Sequence, residues 1–151
     1  MRVRQDGASR RFAAVSWAAV VLWAGLVFFM SSNTGEGLHS GLGLVSSVYD
    51  WLDALQRRAL RADVDVVSPC AHFCEYAVLG ALLCNALRCH LPLGWAVVGA
   101  ACACASAYGA TDEFHQLFVE GRMCDAADWA VDTVGALVGA LAARAALAQR
   151  G

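Results

Sequence analysis

The chain has 151 residues, 59% of them hydrophobic and 16% charged, with mean hydropathy +0.52 and a formal charge of −2. The hydrophobic share exceeds the roughly 45–50% of soluble domains, so the composition is that of a one-domain membrane protein. Neither a basic excess nor a basic aromatic patch is present, which argues against a nucleic-acid partner.

Residues 1–11 form a polar tail carrying Arg2, Arg4, Arg10 and Arg11, on the cytoplasmic side in the orientation argued below. Residues 12–30 then run without a charge, long enough for a spanning helix. This run is too long for a typical signal-peptide core, and FFMSSNTG lacks a clean small-x-small cleavage site, so an uncleaved first span is expected. The next connection opens with the turn-rich SSNTGEGLHSG. Within it Leu44, Val45, Val48, Trp51, Leu52, Leu55 and Ala59 recur at three- and four-residue steps, which predicts an amphipathic helix over 44–59. Asp50, Asp53, Gln56, Arg57 and Arg61 make it too charged to span and place it at the membrane interface.

Ser68 as N-cap and Pro69 in the first turn suit a helix start, so a second span is expected over 69–87. A turn at RCHLP leads to a third span over 93–110, whose Gly, Ala, Ser and Cys content permits close helix approach. Residues 111–125 read as a second connection. A fourth span over 126–148 carries Gly135 and Gly139 as a GxxxG pair. The expected fold is therefore all-α: an integral membrane four-helix bundle, one domain over 12–148, with an additional interfacial amphipathic helix. All eleven basic residues are arginine; seven lie on the side of both termini and Arg57, Arg58, Arg61 and Arg122 on the other, which predicts cytoplasmic termini. Cys70, Cys74, Cys84, Cys102 and Cys104 lie in apolar segments and read as small hydrophobes.

This topology brings three polar stretches to one level at the outer face. His72, Glu75, Tyr76 and Leu79 share a face of the second span; Tyr108, Asp112, His115 and Gln116 form a stripe on the third span and its extension; Asp125, Asp128 and Asp132 line the fourth above its glycines. Arg122 stands among Glu113, Glu120 and the aspartates as their natural counter-ion. An ionisable group in hydrocarbon costs roughly 2.5–3.5 kcal/mol on insertion scales, so each needs a partner or a polar cavity. Two readings follow. One is a structural network in which His72, Asp112, Asp128 and Arg122 fix helix register. The other, favoured because the groups gather at one end, is a ligand site formed by His72, Glu75, Tyr76, Tyr108, Asp112, Glu113, His115, Gln116, Arg122, Asp128 and Asp132. His72, Glu75, Asp112 and His115 are the candidates for acid/base chemistry. His72, Glu75, Glu113, His115 and Asp128 are ligand types that zinc accepts. No HExxH or G-x-S-x-G motif is present, and no metal or cofactor is expected.

FFMSS (28–32), HFCEYAVLG (72–80) and YGATDEFHQLFVEGRMCDAADWAVDTVGALVG (108–139) resemble the VanZ-like family of small bacterial membrane proteins. The resemblance covers most of 12–141 and implies a four-span protein of the bacterial cytoplasmic membrane, whose namesake is associated with teicoplanin resistance. The positions matching its motifs are His72, Phe73, Glu75, Tyr76, Asp112, Glu113, His115, Gln116, Phe118, Arg122, Asp128 and Gly135. Two departures stand out: Ser68-Pro69 replaces a frequent basic residue before HF, and Glu120 replaces a frequent proline between FV and GR. The first removes a contact to lipid phosphate; the second adds an acid.

The function expected from residues and resemblance together is non-enzymatic. A polar site in the outer leaflet would bind a lipid-linked cell-wall precursor or a lipoglycopeptide, with membrane lipid as the surrounding partner, and lower glycopeptide susceptibility. A membrane-embedded acid/base or metal-dependent enzyme acting on a lipid headgroup or cell-wall precursor is the alternative. An ion-coupled carrier using Asp128 and Asp132 ranks last, since four spans are few for a carrier.

Overall fold

The computed structural model describes residues 2–32, 67–119 and 124–149. The interfacial helix expected over 44–59 lies outside these residues, as do Glu120 and Arg122. Four helices make up the described fold: α1 (Arg2–Ser31), α2 (Val67–Leu87), α3 (Trp95–Gln116) and α4 (Ala126–Ala148). Among the described residues there is no strand.

Three segments, Ser9–Ser31, Ser68–Leu87 and Ala126–Ala148, are long and apolar enough to cross a membrane. The third expected span, 93–110, needs correction. Its helix α3 runs on to Gln116, through residues read as a connection, and it is not among the segments apolar enough to span. The extension has a tertiary cause. Ala101, Ala105, Gly109, Asp112 and Gln116 are all buried and follow one another at three- and four-residue steps, so the polar turn continues the same inward face. The polar residues of the last turns of α3, Asp112, Glu113, His115 and Gln116, are what lower its hydropathy.

The closest helix pair is α2 with α4. A methyl group on Gly135 or Gly139 would overlap the backbone carbonyl of Phe73 or Ala77, and one on Gly80 would overlap that of Ala136. The GxxxG pair of α4 thus lies directly against the α2 backbone, with Gly80 completing the seam from the other side. The order of these contacts makes α2 and α4 parallel. Helix α3 returns antiparallel beside them: Trp129 Nε1 donates to the Ser106 carbonyl at 3.0 Å, and the Ser106 and Thr133 hydroxyls meet at 2.8 Å.

Helix α1 lies along α2 and α3, pinned by Trp23 Nε1 donating to the Glu75 carbonyl (2.9 Å) and Tyr108 Oη donating to the Ala24 carbonyl (2.6 Å). Its Val15, Val21, Leu22, Leu26, Phe28 and Phe29 face outward, as do Val134, Leu137 and Val138 of α4. Apolar rows on the outside suit acyl chains. The cysteines behave differently from expectation. Only Cys84 is buried; Cys70, Cys74 and Cys104 face outward and Cys102 is half-buried. Small thiols at lipid-facing positions carry no desolvation cost, so burial is not required of them.

Candidate functional site

At the end where α2 and α4 begin and α3 ends, the bundle interior becomes polar. His72 and Tyr76 come from α2, Gly109, Asp112, Glu113 and Gln116 from α3, and Asp132 from α4; all seven are buried. Asp132, Asp112 and Glu113 keep 0%, 2% and 3% of their surface exposed. Three carboxyl groups this dry are costly unless each is paired.

One such pair is present among the described residues. His72 Nδ1 lies 3.1 Å from Asp132 Oδ1. When Asp132 is ionised its carboxylate only accepts, and the imidazole then donates from Nδ1. Glu113 is held from the opposite side, its Oε2 accepting from the backbone N–H of Asp125 at 2.8 Å. Gln116 donates to the Ser31 hydroxyl at 3.2 Å, which ties the end of α1 to the site.

The remaining polar atoms do not close among themselves. Tyr76 Oη, both Asp112 oxygens, Glu113 Oε1 and Asp132 Oδ2 are buried with no hydrogen-bond partner among the described residues. The Ser31 hydroxyl sits near enough to Asp112 to interact electrostatically but not in a position to satisfy hydrogen-bond geometry. Each such orphan costs about 1–3 kcal/mol, and more where it is charged.

Gly109 shapes the space they face. A methyl group there would lie 3.3 Å from Asp132 Oδ2, 3.3 Å from the Tyr76 ring and 3.4 Å from the Trp129 ring. Sequence reasoning passed over Gly109 and Ser31 as site elements. The signal for Gly109 was its place three residues before Asp112, which puts a missing side chain one turn below a buried acid.

Other expected site residues lie elsewhere. His115 is turned to α1, its ring 4.4 Å from that of Phe28 and its Nε2 3.1 Å from Ser32 Oγ. Tyr108 gives its hydroxyl to the α1 backbone, although its ring stays 6.2 Å from that of Tyr76. Glu75 and Asp128 are half-buried at the margin, close enough to act electrostatically on His72. Asp125, read as the top of an acidic line, is exposed and caps α4 by accepting from the Ala127 N–H at 2.8 Å. Arg122, the expected counter-ion, lies outside the described residues.

Residues 16–147 match the VanZ/LLP1 family model. The chain belongs to the VanZ/LLP1 family. No curated protein and no solved structure matches it. The matched span contains every side chain of this VanZ-like site, from Ser31 to Asp132, together with the three membrane-spanning segments except the first turns of α1.

Proposed function

We propose that this protein is a non-enzymatic membrane component that binds the polar end of a lipid-linked or lipidated molecule, and that it thereby lowers susceptibility to teicoplanin-type glycopeptides. The observation that carries the binding reading is the set of five buried, unpartnered polar atoms around the His72–Asp132 pair. Free energy spent on desolvating groups that find no partner in the protein is recovered when a ligand supplies one.

The surroundings favour an amphiphile. Phe114, Leu117, Phe118 and Trp129 are exposed beside the site, and the Phe114 and Phe118 rings stack edge-to-face at 5.5 Å. An apolar tail lying on that collar would place an attached polar group at the mouth of the site. Arg10, Arg11, Arg88 and Arg144 stand toward the opposite end, so the positive-inside tendency supports an outer-leaflet position for the site and cytoplasmic termini.

The test is a set of single variants, His72→Ala, Asp112→Asn and Asp132→Asn, expressed at matched membrane abundance in a susceptible bacterium. Teicoplanin susceptibility and the lipid-linked precursor profile are then measured. Protection that is lost in the variants while the precursors stay unchanged supports binding. A modified precursor that disappears with His72→Ala would establish an enzyme instead. Wild-type behaviour in all three would remove the site from the function.

A further inference from the structure

One His and two acids, His72 of α2, Glu113 of α3 and Asp132 of α4, each offer a donor atom within 4.8 Å of the others. We propose that these three residues form a buried site for one divalent first-row transition-metal ion of the Zn2+ or Mn2+ kind. Ligands at about 2.1 Å from such an ion lie about 3.0–3.4 Å from one another. His72 Nδ1 and Asp132 Oδ1 already stand 3.1 Å apart, so only Glu113 must swing inward. Its free oxygen, Oε1, is one of the orphans.

An acidic cluster alone would not justify this reading. The independent observation is Asp112, 2% exposed, with both oxygens unpartnered and placed close enough to His72 and Asp132 to interact with each. In this proposal Asp112 accepts a hydrogen bond from a metal-bound water, as outer carboxylates do at metal sites. Tyr76 Oη supplies a second orphan in the same region.

Charge points the same way. When ionised, Glu113 and Asp132 bring two negative charges to the site, which a divalent ion with a neutral imidazole balances. An ion on Nδ1 takes the lone pair there, so a neutral imidazole ligand carries its single proton on Nε2. The donor set, one nitrogen and carboxylate oxygens without thiolate, suits zinc or manganese and not copper(I). The sequence reading named His72 and Glu113 among zinc-type ligands but took Asp128 and not Asp132 from the last helix, and it expected no metal because the sequence shows no HExxH motif and gives no ligand geometry.

The test uses full-length protein in lipid nanodiscs, with any affinity tag removed and bound metal stripped by chelator. Calorimetric titration with ZnCl2 or MnCl2 should give one-to-one binding of at least one of the two ions. Asp132→Asn and Glu113→Gln should each weaken it about tenfold or more. His90→Ala, at the other end of the bundle, should leave it unchanged. Absence of stoichiometric binding of both ions, or binding that survives both variants, overturns the proposal. If the variants lose helical structure, X-ray absorption of the loaded wild-type protein decides. A nitrogen/oxygen shell with one imidazole supports the site, and sulfur ligands or several imidazoles refute it. The site stands or falls apart from the glycopeptide reading: a protein that takes up the ion without altering susceptibility would keep the metal site and lose the resistance role.

Discussion

The two ends of the bundle treat polar side chains in opposite ways. At the end where α2 finishes, Asn85 donates to Ser16 at 3.1 Å, Arg88 Nε donates to Asn85 at 3.0 Å, and Trp17 donates to His90 at 3.0 Å. Arg88 also lies over the Phe12 ring, and Arg144 over that of Trp95. Apart from the buried Ser16 these groups are half-buried or exposed, and they find one another. At the end where α2 begins, more deeply buried and more highly charged groups are left with unmatched atoms. The first arrangement holds helices together and keeps charges near water; the second leaves buried polar atoms unmatched, on which the proposed binding role rests. Polar residues in a membrane bundle thus cannot be read as glue or as site from their identity alone; the difference lies in whether they satisfy one another.

The seam between the ends supports both, and its loss should have the largest effect. Gly139→Leu drives a side chain into the Ala77 carbonyl and should cost about 3 kcal/mol or more. Thermal unfolding in detergent, followed by circular dichroism, should show a large fall or no recoverable folded protein. A normal midpoint would mean that α2 and α4 are not held at this distance. Next is Asn85→Ala, which removes the link from Ser16 to Arg88. It should lower stability by about 1 kcal/mol and leave glycopeptide susceptibility untouched. An effect on susceptibility would erase the functional distinction between the ends. The smallest changes sharpen it. Tyr76→Phe deletes an orphan hydroxyl, so unfolding should be unchanged or improved by up to about 1 kcal/mol while ligand response falls. Gly109→Ala fills the space beside Asp132 Oδ2 and should shift the midpoint by less than about 1 kcal/mol while weakening occupancy of the site.

The helical architecture and the seam were readable before any coordinates. Hydropathy gave α1, α2 and α4, and small-residue spacing on α4 gave Gly135 and Gly139 as the contact line. Helical periodicity also grouped His72 with Tyr76 and Asp112 with Gln116, because residues four apart must share a face. Periodicity does not say which neighbour that face meets. Tyr108 and His115 belong to the right stripe by spacing, yet they point to its α1 side. Asp125 failed for another reason: a cap is set by the backbone at one residue, and an aspartate just before a helix serves as readily there as in a site. The end of α3 was missed because its polar last turn is held by burial against other helices, which local hydropathy does not register.

The decisive comparison is the unfolding midpoint of chelator-treated, ligand-free Asp112→Asn against wild type in the same lipid. Asp112 has two buried oxygens and no hydrogen-bond partner among the described residues, so neutralising it should raise the midpoint, by about 1–3 kcal/mol of stability. A lower midpoint would show that this carboxylate is already paired within the protein, and the end where α2 begins would then be glue like the other.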